Sequence, residues 1–357
     1  MSAADWTLID RWLRLGRPIH AQSLPELDAS GHALEGAVFN QCDLRHSRWQ
    51  AAALQGATFI HCDLRGADWR GALLHSVTFS QCDLRGSRWN DTPASLLALS
   101  DCPLHDSDWR GARLEKSLWS QCPLNGSQWQ GAHLLRSALA SCQWNDSQWA
   151  GAHLVQTALN GADLRQAKLG GLLADSSLFI KANFSGLCLS GMALPRCTLQ
   201  GAEFSATDLS GAQLTECNAC QACFKDSDLT GLIAPRGLFA QAQFTRVRLE
   251  GAQLEGAVLQ KAQLKQVSLR AAQLARTVWD HASLEQVSLV DGDLRYSRFA
   301  HAQGQQVDFG RCQLARANFH GARWVDSNFS GADLANARGT DPALVAAEQR
   351  SLEMECS

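Results

Sequence analysis

The amino-acid sequence predicts an all-β solenoid winding about a single axis, and three observations carry that reading. Between Leu34 and Leu334 every fifth residue is Leu, Phe or Trp, without insertion or deletion; the departures are Ala94, Ala174, Ala219, Ala234 and Gly304. Two places earlier the residue is small, as in Ala37, Cys42, Ser47, Ala52, Ala57 and Cys62. A longer line of twenty residues is rewritten six times between residues 36 and 151. Gln41-Cys42-Asp43-Leu44-Arg45 returns as His61-Cys62-Asp63-Leu64-Arg65 and as Gln81-Cys82-Asp83-Leu84-Arg85. A period of five fits neither a helix at about 3.6 nor a flat strand at 2. Each five-residue segment instead sends one large and one small side chain inward and leaves three in water. Four such segments close one coil, so residues twenty apart stack at strand spacing, about 4.8 Å.

Length and composition agree with one repeating architecture. A chain of 357 residues would ordinarily suggest two or three globular domains, but a solenoid grows along its axis without splitting. The net charge of −3 provides no field to recruit nucleic acid or an anionic membrane. Thirteen cysteines are an odd number, and six fall on one repeat column. That argues for packed thiols in a reducing cytoplasm rather than a disulfide framework. No apolar run reaches the length of a membrane span, and no basic-then-apolar leader opens the chain.

Residues 1–31 precede the visible repeat. Ser2 and Asp5 form a helix start signal, Trp6, Ile9, Trp12 and Leu13 an apolar stripe, and Gly16 with Pro18 a stop. The expectation is an amphipathic helix over residues 3–15 and an irregular linker to Gly31, together capping the first coil or, through Trp6 and Trp12, meeting a partner. Residues 32–339 form the repeat. Its weak points, at Ala94, Ala174, Ala234 and Gly304, are expected to bulge. From Leu169 the large column turns from Trp to Leu, which predicts an aromatic-rich first half and an aliphatic second half; the change near residues 150–170 is read as one of filling. Thr340 or Asp341 caps a helix over residues 340–357 with Pro342 in its first turn. Leu344, Val345, Leu352 and Met354 make this a capping or dimerisation helix.

The segments Ala162-Asp163-Leu164-Arg165-Gln166 and Ala332-Asp333-Leu334-Ala335-Asn336 resemble the repeating unit of the pentapeptide-repeat family, over about 300 residues. The resemblance implies a right-handed quadrilateral β-helix of about fifteen coils, roughly 70 Å long at strand spacing, with short terminal helices. It also implies that the large central residue and the small residue before it point inward. Trp49, Trp69, Trp89, Trp109, Trp129 and Trp149 then form one inward ladder, and Cys42, Cys62, Cys82, Cys102, Cys122 and Cys142 a second on an adjacent face. Val247, Val267, Val287 and Val307 fill a corner later in the chain.

No constellation points to catalysis. Cys217, Cys220 and Cys223 have metal-like spacing, but the register turns Cys217 inward and the others outward, without a fourth ligand. His133 with His153, and His281 with His301, are outward pairs one coil apart and read as solvated. Asp43, Asp63 and Asp83 stack beside Arg45, Arg65 and Arg85, a compensated lattice rather than an acid–base pair. Gln213, Gln253, Gln273 and Gln313 are expected to form amide ladders. The chain has no phosphate loop, nucleophile elbow or zinc-protease motif, and a coil filled by its own side chains leaves no substrate pocket. No metal or cofactor is expected, and no enzyme.

The function expected is a protein-binding scaffold or adaptor. The Phe/Cys/Trp line of the first half resembles pentapeptide-repeat proteins encoded beside type VI secretion components in bacteria, which implies an accessory or effector-loading role. The alternative implied by the family is a DNA mimic that binds a type II topoisomerase (gyrase) and confers quinolone protection. Mimicry needs dense negative charge, and here Arg interleaves with Asp. Partners are therefore expected to be proteins, including a second copy through the C-terminal helix, with neither nucleic acid nor membrane engaged.

Overall fold

Pairing between residues twenty apart governs the backbone of the computed structural model, which describes residues 3–355, with side-chain environments for residues 6–348. Ser2 lies outside the described residues, as do the side chains of Asp5, Leu352 and Met354. The chain winds as a right-handed β-helix of about 15 turns with two short helices. It divides into two compact units, Met1–Asn183 and Phe184–Ser357. The division falls beyond the change of filling near residues 150–170.

In the first unit, parallel partners run Phe39 to Phe59 to Phe79 and Leu74 to Ala94 to Leu114. Two sheets result. The first has seven short strands from Ile19–His20 to Ala138–Ala140, and the second six from Leu74–His75 to Leu173–Asp175. They meet at corner residues such as Ser76, Leu96, Lys116, Arg136 and Gln156, whose φ values lie between 50° and 55°. Positions ending in 1 or 6 take this left-handed conformation along most of the chain, and none of those residues is Val, Ile or Thr. Branching at Cβ is least tolerated at positive φ, so the corners exclude the residues that strands favour elsewhere.

The winding begins a coil earlier than the visible repeat suggests, which corrects the reading of residues 19–31 as irregular linker. Ile19 pairs with Phe39, and bridges join Ser23 to Asp43 and Asp28 to Arg48. The beat is hidden there because Leu27 and Ala29, both fully buried, exchange the usual small-then-large order. Ahead of that coil, α1 spans Ala3–Arg14. Gly16, at φ 59°, ends it, with the Arg17 N–H donating to Trp12 O at 2.9 Å, a left-handed C-terminal cap. Ile9 is buried, and Trp6 stacks on His32 at 3.6 Å.

The second unit carries one six-stranded sheet, from Cys223–Lys225 to Arg323–Val325. It is not purely aliphatic, which corrects the expected contrast of filling. Phe184, Phe204, Phe224 and Phe244 stack at 4.9–5.0 Å on the column adjoining the leucines. Nor do the weak points bulge. Ala94, Ala174 and Gly304 sit at the centres of strands, and Ala234 N–H keeps the coil register by donating to Gln253 O at 2.8 Å. Gly304 pairs with Trp324 one coil on. A Cβ at Gly304 would come within 2.2 Å of that indole, so the missing side chain makes room for the large one. Asp341 caps α2, Pro342–Glu355, its Oδ1 accepting from Ala343 N at 2.9 Å.

Candidate functional site

The interior is filled and closed to ligands along both aromatic columns of the first unit. Trp49, Trp69, Trp89, Trp109, Trp129 and Trp149 are all buried and stack at 4.6–5.0 Å with rings within 12° of parallel. Phe39, Phe59 and Phe79 form a second stack that meets the tryptophans edge-on, as at 5.6 Å for Phe39 on Trp49. Both arrangements suit the ring quadrupole and add about 0.5–1.5 kcal/mol per pair beyond area burial. Sequence reading missed the polar device that locks the indoles. Ser47, Ser87, Ser107, Ser127 and Ser147 accept the Nε1–H of the Trp two residues on, at 2.7–3.0 Å. The signal was a Ser-x-Trp spacing. It lapses at Ala67, and Trp69 Nε1 is buried without a partner.

Cys42, Cys62, Cys82, Cys102 and Cys122 are buried and Cys142 half-buried, all as free thiols. Their Sγ–H groups donate to backbone carbonyls, as from Cys42 to Ile19 O at 3.2 Å. Burial pushes the Cys142 thiol up to about 11, which suppresses its own thiolate. Cys217 is buried, whereas Cys220 and Cys223 are half-buried, and burial raises the Cys217 thiol to about 12.

Outward charges are paired within and between coils. Arg45 grips Asp43 with Nε at 2.8 Å and Nη2 at 2.7 Å, and reaches Asp63 at 3.7 Å. Arg65 and Arg85 repeat the grip on Asp63 and Asp83. Bidentate geometry is the strongest form of such a contact, and it holds Asp43 below the usual carboxylate range. The expected glutamine column is broken by Ile233 and Asp293. Amide pairs form instead at corners, Gln221 with Gln241 and Gln286 with Gln306, each at 3.0 Å.

One outer face of the first unit breaks this polar pattern. Along the second sheet Leu73, Leu135, Val155 and Leu173 point into water, with Leu73 57% exposed. Around the corner Leu118, Ala138, Ala158 and Leu178 stack in register, and Leu118 and Leu178 are exposed. A groove of about 850 Å³ runs over the strands from Leu74 to Leu135. His133 and His153 stack beside it at 4.6 Å, and burial lowers the His133 pKa.

The terminal candidates lie in separate units. Trp6 and Trp12 on α1 are half-buried; on α2, Leu344 is exposed and Val345 half-buried. The inward row of the final coil is open: Phe319, Trp324 and Phe329 are half-buried and Leu334 is 46% exposed. Nothing in the sequence pattern signals that α2 meets His301 and His320. Glu348 Oε1 lies 3.3 Å from Nε2 of each. The link joins positions 28 and 47 residues apart across the edge of the repeat, so no local spacing announces it. No described helix is long and apolar enough to cross a membrane.

Coils of four five-residue segments, with large and small residues alternating inward and left-handed corners, define a quadrilateral β-helix. The chain belongs to the pentapeptide-repeat family: a pentapeptide repeat region model matches residues 32–109 and 72–149, and a model of eight pentapeptide repeats matches segments within residues 159–274 and residues 312–338. A comparison with curated proteins finds no match. Among solved structures the chain is similar to full-length QnrB1, a plasmid-mediated fluoroquinolone resistance protein, at 18% identity over 56% of this chain and 98% of that one, TM-score 0.23. It is also similar to HetL of Nostoc sp. strain PCC 7120, involved in heterocyst differentiation regulation, at 20% identity over 93% and 96%, TM-score 0.14. A thylakoid-lumen pentapeptide repeat protein of Arabidopsis thaliana is 19% identical over 41% and 74%, TM-score 0.13. The family assignment rests on the repeat models.

Proposed function

We propose that this protein is a non-enzymatic protein-binding scaffold that docks a partner on the aliphatic outer face of its first unit. The observation that carries the reading is the exposed pair Leu135 and Val155 on successive coils, with Leu73 and Leu173 further along the same sheet and Leu118 and Leu178 on the adjoining one. Exposed apolar clusters of this kind mark protein interaction sites. The packed aromatic interior supports a role played on the outside. An accessory or effector-loading role in a type VI secretion system is the specific form of this reading, supported by the Phe/Cys/Trp line of the first half, in a bacterial cytoplasm. The DNA-mimic alternative is disfavoured, because Asp43, Asp63 and Asp83 are each gripped by an arginine.

The test compares affinity capture from the native host using the wild-type chain and a Leu73→Asp/Leu135→Asp variant that still folds. A secretion-system spike, adaptor or toxin protein recovered by the first and lost by the second is the expected outcome. Equal recovery by both would overturn the assignment of the face. A second copy of the chain is the partner we assign to the C-terminal end, where Leu334, Val325 and Leu344 are exposed. Light scattering should report a dimer that Leu334→Asp converts to monomer; a monomeric wild type would remove this contact.

A further inference from the structure

We propose that His301, His320 and Glu348 form a binding site for one divalent transition-metal ion of the zinc class, which pins α2 to the final coils. The three side chains come from two successive coils and the helix that follows. Glu348 Oε1 stands 3.3 Å from His301 Nε2 and 3.3 Å from His320 Nε2, and Oε2 stands 3.4 Å from His320 Nε2. All three donor atoms lie within 4.8 Å of one another. Charge-assisted N–H···O contacts usually close to about 2.7–2.9 Å, so these are long for a hydrogen-bonded latch. They match the spacing of donors around a tetrahedral ion with bonds of about 2.0–2.2 Å, whose ligands sit roughly 3.3 Å apart. Two imidazoles and one carboxylate select zinc, nickel, cobalt or copper over the oxygen-seeking magnesium and calcium.

The surroundings hold the set in place. His301 occupies a left-handed corner and lies flat over Gly321, where a Cβ would come within 2.4 Å of its Nδ1. Its other ring face stacks on His281 at 5.0 Å, and its edge meets His320 at 5.2 Å. His320 is buried, 5% exposed. Gly321 N–H donates to Thr340 Oγ1 at 3.2 Å, fixing the chain where it leaves the coil for α2. One contact opposes the ion: Asp341 N–H donates to His320 Nδ1 at 3.2 Å, which places the ring proton on Nε2. Binding moves that proton to Nδ1 and gives up this bond, leaving two N–H donors face to face, a loss that the three metal–ligand bonds have to outweigh.

The experiment titrates the tag-free, full-length chain with zinc and, separately, cobalt(II). One ion per chain is expected. Affinity should fall at least tenfold in His301→Ala and in Glu348→Gln, two half-exposed positions whose variants keep the coil, and should be unchanged in His61→Ala. The cobalt form should show visible d–d bands without the charge-transfer band of a thiolate ligand, and zinc should raise the melting temperature of the wild type but not of Glu348→Gln. Absence of a one-to-one site at micromolar metal, variants that bind as tightly as the wild type, or a thiolate band would each overturn the proposal.

Discussion

Ala67 shows how far a single atom can matter in a stacked interior. At the equivalent place in neighbouring coils a serine hydroxyl accepts the indole N–H and itself donates to a backbone carbonyl, as Ser107 does with Trp109 and Leu104. Trp69, among the six tryptophans of that column, has no such acceptor. Ala67→Ser should therefore stabilise the first unit by about 1 kcal/mol, and Ser107→Ala should destabilise it by about 1–3 kcal/mol, since a buried donor is left unpaired. Equilibrium denaturation checks both; equal and small effects would mean that the indole N–H finds water. The spacing behind this was present in the sequence as Ser-x-Trp. Its meaning was not, because the hydroxyl's direction depends on the left-handed corner just before it.

At the scale of an element, the corner is the rule and the strand the consequence. Gln121 sits at φ 55°, a conformation in which a β-branched side chain is an outlier and glycine is free of strain. Gln121→Val should lower the melting temperature, whereas Gln121→Gly should leave it level or higher. A Val variant as stable as the wild type would show that the corner can change its conformation. Register obeys a similar rule. Removing residues 102–121, one full coil, keeps every column in line and should leave a cooperative fold. Removing residues 102–111 sets the tryptophan column over the phenylalanine one and should abolish it. Circular dichroism and urea unfolding separate the two outcomes.

Over the whole molecule, paired carboxylates set the response to acid. Arginine side chains hydrogen-bonded to Asp43, Asp163 and Asp293 hold those carboxyls below the ordinary value of 3.8. A folded-state value below the unfolded one means stability that is present above the unfolded value and is lost as pH falls through the folded one. The melting temperature should be level from neutral pH to about 4.5 and fall between about pH 4 and 2, less steeply in about 0.5 M salt, which screens exposed pairs. Replacing the three aspartates with asparagine should flatten the acid limb; an unchanged limb would assign it to other groups. Each pair is solvent-exposed, so the effect is expected from their number rather than from any single one.

The repeat itself is legible in the sequence, because a solenoid writes its fold locally. One large and one small inward residue per five, twenty residues per coil, and Trp49, Trp69 and Trp89 one above another all follow from periodicity. The first coil was obscured only by the exchange of Leu27 and Ala29. What lies outside or across the repeat needed the tertiary structure. The aliphatic face depends on which outward residues become neighbours around a corner, as the strands ending at Leu135 and opening at Ala138 do. The meeting of His301, His320 and Glu348 depends on where α2 turns after Asp341. Periodicity reports which way a side chain points from its own backbone; which partner it meets is decided by the path of a chain segment that no longer repeats.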